Sequence, residues 1–253
     1  MARLARVVVP KIPHHVTQRG NRRQRVFFSS DDYQEYLRLM AEWCSSWDVE
    51  IWAYCLMPNH VHLIAVPARC ECLRRAIGEV HRRYTRHINF REGWRGYLWQ
   101  GRFASYPMDT MYLFTAARYI ENNPVRTGLV AVPDDYEWSS AKAHVSGRDD
   151  DLVKVLPLLA KVSDWRAFLT QPLQKHESET LRRHVRTGRP LGSDSFIEDL
   201  ERGLGRTLRP QKPARRAVGL NPSRIKYCAA GTHRFLFTIV SPAYPPARRN
   251  SSG

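Results

Sequence analysis

The sequence predicts an α+β domain: a split βαβ, ferredoxin-like antiparallel sheet with one added helix. Three observations carry this. Strand-like and helix-like segments alternate in the order β-α-β-β-α-β-α. Two of the strand-like runs are separated only by Met57-Pro58-Asn59, so they should pair as an antiparallel hairpin. The last helical stripe runs into Pro124, which cannot continue a helix.

Each element has its own signal. His14 to Gln18 is short, extended and β-branched, and Arg19-Gly20-Asn21-Arg22 reads as a loop. Ser30-Asp31-Asp32 can cap a helix along which Tyr33, Tyr36, Leu37, Met40, Cys44 and Trp47 recur at helical spacing. Val49 to Leu56 and His60 to Val66 read as the hairpin strands. A second helix gathers Leu73, Ile77, Val80 and Tyr84 on one face and Arg75, Arg82, Arg83 and Arg86 on the others. Gly101 to Met108 reads as a fourth strand, and Asp109 can cap a third helix that should stop near Asn123.

Beyond about residue 145 the pattern weakens. Ser146 to Asp151 is loop-like, and Leu152 to Leu169 reads as helical but interrupted by Pro157. Leu181 to Arg216 carries ten Lys or Arg against four Asp or Glu. Its prolines, Pro210 and Pro213, point to an extended arm at its end. The division expected is a catalytic domain over 1–145, a partly helical connector over 146–180, a basic C-terminal extension over 181–216 and a tail without assigned role over 217–253.

Composition narrows the partners. With 43% hydrophobic residues the chain can build a core, and a formal charge of +16 calls for a polyanion. No apolar run is long enough to span a bilayer, and Val7-Val8-Val9 is too short for a signal-peptide core. Nucleic acid is therefore expected as the partner rather than a membrane. Five scattered cysteines make a poor disulfide framework and fit a reducing cytoplasm. Cys70-x-Cys72 resembles half a zinc site whose other half is missing.

The chemistry-bearing residues lie in two places. In Pro58-Asn59-His60-Val61-His62-Leu63, strand alternation puts His60 and His62 on one face, where two imidazoles can hold one metal ion. Two hydrogen-bonded histidines on a polar sheet face would read the same way. On the third helix Tyr119 and Asn123 stand at i, i+4 and share a face, while Leu113, Ala117 and Ile120 form a separate apolar stripe. Tyr119 can thus face the histidines, or simply mark the core margin. Asn123 can reach a metal, or simply end the helix.

Together these segments resemble the single-tyrosine HUH transposases, and more closely the REP-associated tyrosine transposases. The matching blocks are Pro13-His14-His15-Val16-Thr17-Gln18-Arg19-Gly20-Asn21-Arg22, Met57-Pro58-Asn59-His60-Val61-His62, and Trp99-Gln100-Gly101-Arg102-Phe103. Arg118-Tyr119-Ile120-Glu121-Asn122-Asn123-Pro124-Val125-Arg126 and Thr187-Gly188-Arg189-Pro190-Leu191-Gly192 complete them. The resemblance implies an HUH domain in which His60 and His62 are paired metal ligands and Asn123 completes the site. It implies Tyr119 as nucleophile and magnesium or manganese as cofactor. It also implies cleavage of single-stranded or hairpin DNA through a 5′-phosphotyrosine link, in a cytoplasmic, nucleoid-associated bacterial protein.

Phosphate contacts are expected from Arg22, Arg23, Arg25 and Arg102, and from Arg206, Arg209, Lys212, Arg215 and Arg216 in the extension, with Arg75, Arg82 and Arg86 in reserve. Trp94, Trp99, Phe103 and Tyr106 could stack on unpaired bases. A monomer or a homodimer fits equally. Two other readings remain at this point: a non-catalytic nucleic-acid-binding regulator on the same fold, and a zinc-stabilised module using the histidines with Cys70 and Cys72.

Overall fold

The computed structural model describes residues 5–210; Lys212, Arg215, Arg216 and the tail over 217–253 lie outside the described residues. The elements run β1 (His14–Arg19), α1 (Ser30–Ser46), β2 (Val49–Met57), β3 (His60–Pro67), α2 (Cys72–Arg91), β4 (Ala104–Pro107) and α3 (Thr110–Glu121). The four strands stand in the order β2-β3-β1-β4. All three pairings are antiparallel. β1 and β2 therefore run parallel with β3 between them, and β3 and β4 run parallel with β1 between them. This is the split βαβ sheet read from the sequence.

Alternation along the strands decides what each face carries. Val16, Val61, Leu63 and Ala65 share one core with Leu39 and Met40 of α1 and Leu73, Ile77, Val80 and Tyr84 of α2. Ile64, Cys55 and Tyr106 share a second core with Leu113, Ala117, Tyr119 and Ile120 of α3. His60 and His62, in step with Ile64 along β3, therefore fall on the α3 face.

The start of α1 also ties down the end of α2. Its N-cap is Ser29, one residue before the expected Ser30, because Asp32 is the residue that closes the capping box. Asp32 accepts from the backbone N–H of Phe28 at 2.7 Å and of Ser29 at 3.2 Å. Arg91, at the last position of α2, donates to the same buried carboxylate. Burial alone would raise the Asp32 pKa, but Arg91 and the two backbone donors hold it below the usual carboxylate value.

The loop after β1 folds onto the hairpin turn. Gly20 N–H donates to Asn59 O at 2.8 Å, and Val26 N–H to Pro58 O at 2.8 Å. Any Cβ at Gly20 would come within 2.3 Å of the Gln24 carbonyl oxygen, so only glycine allows this approach.

Four expectations need correction. β4 is shorter than Gly101 to Met108, because Gly101 takes a positive φ of 70° that breaks the strand. α3 stops at Glu121, near the expected Asn123, but the chain does not stay out of helix there. It resumes as α4 (Asn123–Arg126), where Pro124 occupies the first turn and needs no N–H partner. The helix expected over 152–169 is two short ones after α5 (Ala141–Ser146): α6 (Leu156–Leu159), with Pro157 in its first turn, and α7 (Trp165–Thr170).

The fourth correction concerns the basic extension. Up to residue 210 it is folded, as α8 (Lys175–Thr187) and α9 (Asp194–Leu204). A capping box at Gln174 and Glu177, the Ser193 cap, and left-handed Gly188 and Gly205 at the C-termini supply the start and stop signals that charge counting passed over. Leu181 is buried in the α3-side core. Leu191 N–H donates to Pro107 O, which fastens the segment beside β4.

Candidate active site

The hairpin turn delivers His60 at the first position of β3 and His62 two residues on, so both rings lie on the α3 face with centres 4.9 Å apart. Tyr119, near the end of α3, places its ring 5.7 Å from that of His62. Asn123 opens α4 one helical turn later and is 1% exposed. The structure thus brings together all four residues expected to carry the chemistry.

Two further residues join them. Arg126 sits with its guanidinium carbon 4.2 Å from the centre of the Tyr119 ring and donates to Asn123 Oδ1 at 2.7 Å. His15, on β1, lies 5.2 Å from His62 between ring centres. Both stand within the sequence blocks quoted above without a role assigned to them. Arg126 falls seven residues after Tyr119, and would have been placed on its face had the helical path been carried through Pro124.

The His60 tautomer follows from its partners. His60 Nδ1–H donates to Asn59 Oδ1 at 2.6 Å, and the Asn59 amide is itself oriented by donating to the Arg23 carbonyl at 3.2 Å. This leaves His60 Nε2 as a bare lone pair. His62 Nδ1 is engaged by His15 Nε2 at 2.9 Å. The hydrogen bonds seen at both rings run through Nδ1, which leaves each Nε2 on the far side of its ring. Burial, with Arg19 and Arg126 nearby, pushes the His60 pKa down to about 3. Burial, then the proximity of His60 and His15, holds His62 well below its ordinary value. Both imidazoles are therefore neutral at physiological pH, the form that can bind a metal.

These donors fit a divalent ion. Nitrogen from two imidazoles and oxygen from an amide suit manganese, and are tolerated by magnesium. Asn123 Nδ2 is buried without a partner, which costs about 1–3 kcal/mol. An orphaned donor at this place is suited to a phosphate oxygen, while Oδ1 beside it is suited to a cation. Among the described residues no group of three or more His, Cys, Asp or Glu is placed to hold a metal, and Asn123 offers an amide oxygen beside the two imidazoles. Cys70 and Cys72 lie beyond the opposite end of β3 from His60, which removes the zinc-module reading.

The family model described as "Transposase IS200 like" matches residues 8–123, the stretch that carries the sheet, both histidines, Tyr119 and Asn123. Over that stretch, less than half of the chain, the sequence is similar to the IS200-like transposases. No curated protein matches the chain. Among solved structures, that of a REP-associated tyrosine transposase bound to a REP hairpin is similar at 22% identity and a TM-score of 0.47, covering 60% of this chain and 90% of that one. A candidate transposase from Deinococcus radiodurans R1 is similar at 21% identity and a TM-score of 0.33, with 48% and 97% covered.

The basic residues expected to meet phosphates divide into two sets. Arg22, Arg23, Arg25 and Arg102 are exposed. Arg22 and Arg23 hold positive φ angles of 51° and 64°, a conformation that costs non-glycine residues about 1–3 kcal/mol each. The Arg23 carbonyl is the one that orients Asn59, so this strained turn is linked through Asn59 to His60. Arg206 and Arg209 are occupied instead: Arg206 donates to the Ala5 carbonyl, and Arg209 pairs with Asp194, Glu198 and Glu201.

The aromatic expectations divide as well. Trp99, Phe103 and Tyr106 are core residues at 5%, 4% and 0% exposure. Trp94 is exposed, in company with Phe90 and Tyr97. Among the described residues no helix is long and apolar enough to cross a membrane.

Proposed function

We propose that the chain is a metal-dependent endonuclease and strand transferase for single-stranded or hairpin DNA, of the REP-associated tyrosine transposase kind. The single observation that carries the reading is the Tyr119 ring 5.7 Å from His62, beside two neutral histidines.

His60, His62 and Asn123 would hold magnesium or manganese, which when bound polarises a non-bridging phosphate oxygen and positions the phosphate. The Tyr119 hydroxyl attacks phosphorus in line. The bond from phosphorus to the 3′ oxygen breaks, and the proton lost by tyrosine ends on that oxygen through solvent. The products are a 5′-phosphotyrosine and a free 3′-hydroxyl. A second 3′-hydroxyl attacks the phosphotyrosine, restores the DNA and releases tyrosine. Phenolate is a better leaving group than an alkoxide, so the link is kept reversible, as strand transfer requires. Arg126 stands over the ring where negative charge develops on the phenolic oxygen, and stabilises it. Arg22, Arg23, Arg25 and Arg102 supply phosphate contacts around the entrance, and Trp94 a stacking face for an unpaired base.

The test is incubation of labelled single-stranded hairpin DNA with manganese. Wild-type protein should form a covalent adduct, and Tyr119→Phe should form none while binding the DNA about as tightly. An adduct in Tyr119→Phe would show that another residue attacks.

A further inference from the structure

His62 reaches its metal-facing state only if the proton on its imidazole sits on Nδ1. Its Nδ1 faces His15 Nε2 at 2.9 Å, and His15 Nδ1 faces the Tyr106 hydroxyl at 2.8 Å. The Tyr106 hydroxyl in turn lies 3.4 Å from the Leu181 carbonyl oxygen on α8. His15 and Tyr106 are both 0% exposed, so the chain is shielded from bulk solvent.

This run of contacts has two self-consistent directions. In the first, Tyr106 donates to His15 Nδ1, His15 donates from Nε2 to His62, and His62 keeps its proton on Nε2, where it blocks a metal. In the second, Tyr106 donates to the Leu181 carbonyl and accepts from His15 Nδ1–H. His15 Nε2 then accepts from His62 Nδ1–H, and His62 Nε2 is a bare lone pair. A carbonyl can only accept, so its presence supplies what the second direction needs: an outlet for the phenolic proton that is not a histidine. Without it the hydroxyl proton has only the histidine to bond, and the first direction prevails.

We infer that His15 and Tyr106 are positioning residues that transmit the docking of α8 to the metal ligand His62 by setting its tautomer. The two histidine ligands are then oriented independently. His60 is set through Asn59 by the Arg23 carbonyl, and His62 through His15 and Tyr106 by the Leu181 carbonyl. The folded C-terminal helix thus acts on His62 through hydrogen bonds. Outer partners of ligating histidines typically change metal affinity by about 10–100-fold when lost.

The inference rests on the proposed metal reading, and its test separates the two. Histidine-selective 15N labelling of the full chain, without metal and at neutral pH, reads each tautomer by long-range proton–nitrogen correlation. His62 and His15 should both carry their proton on Nδ1. Tyr106→Phe, which removes the directing hydroxyl and keeps the ring, should leave His62 as a mixture of tautomers. Manganese binding followed by electron paramagnetic resonance should weaken about tenfold or more in His15→Leu. It should stay within about threefold of wild type in His15→Gln, whose amide can accept from His62 and donate to Tyr106. A wild-type His62 protonated on Nε2 overturns the inference. So does a His62 tautomer unchanged in Tyr106→Phe, or a folded His15→Leu that binds manganese as wild type does. Should His15→Leu not fold, the two tautomer measurements decide alone. Absence of manganese binding in the wild type would overturn the metal reading while the tautomer result still stands or falls by itself.

Discussion

Arg126 offers the sharpest quantitative test of the site. Its guanidinium carbon stands 4.2 Å from the Tyr119 ring centre, and the side chain is exposed, so truncation leaves no buried cavity. At that separation and an effective dielectric near 20, a unit charge on the ring system would gain about 4 kcal/mol from the cation. Solvent access and partial charge development reduce this. A loss of about 1.5–3 kcal/mol, or roughly 10–150-fold in cleavage rate, is expected for Arg126→Ala. The same substitution removes a cation from beside Asn123 Oδ1, its acceptor at 2.7 Å. Manganese affinity should therefore hold or rise. Slower cleavage without weaker metal binding is a combination that a general loss of structure cannot produce. Single-turnover cleavage of hairpin DNA at saturating protein measures the first, and metal titration the second. Wild-type cleavage in Arg126→Ala would refute the assignment, and a parallel fall in both quantities would reduce Arg126 to a packing residue.

Other outcomes follow from the same geometry. His60→Ala with His62→Ala should abolish cleavage at any practical manganese concentration, and chelator should silence the wild type; cleavage that survives chelation would end the metal reading. His81 is buried against the Tyr36 hydroxyl and its pKa is pushed down to about 3 by burial, so the folded chain resists a proton that the unfolded chain takes up below about 6.5. Its contribution to stability is complete above that pH and declines by about 1.4 kcal/mol per unit below it. His81→Gln should thus lose about 2 kcal/mol less than wild type between pH 7.5 and pH 5 in urea unfolding, and an unchanged difference would refute the buried neutral assignment. Truncation at Thr180 should destabilise the fold because it removes buried Leu181, whereas replacing Lys212, Arg215 and Arg216 together by alanine should lower the salt dependence of single-strand binding by about two. Equal salt slopes would exclude these residues from DNA contact.

The sequence by itself determined the sheet and the membership of its faces. Strand alternation put His60 and His62 on one side, and helical spacing put Tyr119 and Asn123 together, because both are periodic properties of a local chain. Charge and composition pointed to a polyanionic partner for the same additive reason. Tertiary structure alone decided the rest. Which aromatics face solvent depends on what packs over them, so Trp99, Phe103 and Tyr106 became core while Trp94 did not. Arg209 could be recognised as neutralised only once α9 had presented its carboxylates to it. The hydrogen-bond chain from Leu181 through Tyr106 and His15 to His62 joins α8, β4, β1 and β3, segments with no local relation in sequence. Proton position on an imidazole is set by the partner of its other nitrogen, and only folding brings that partner within reach.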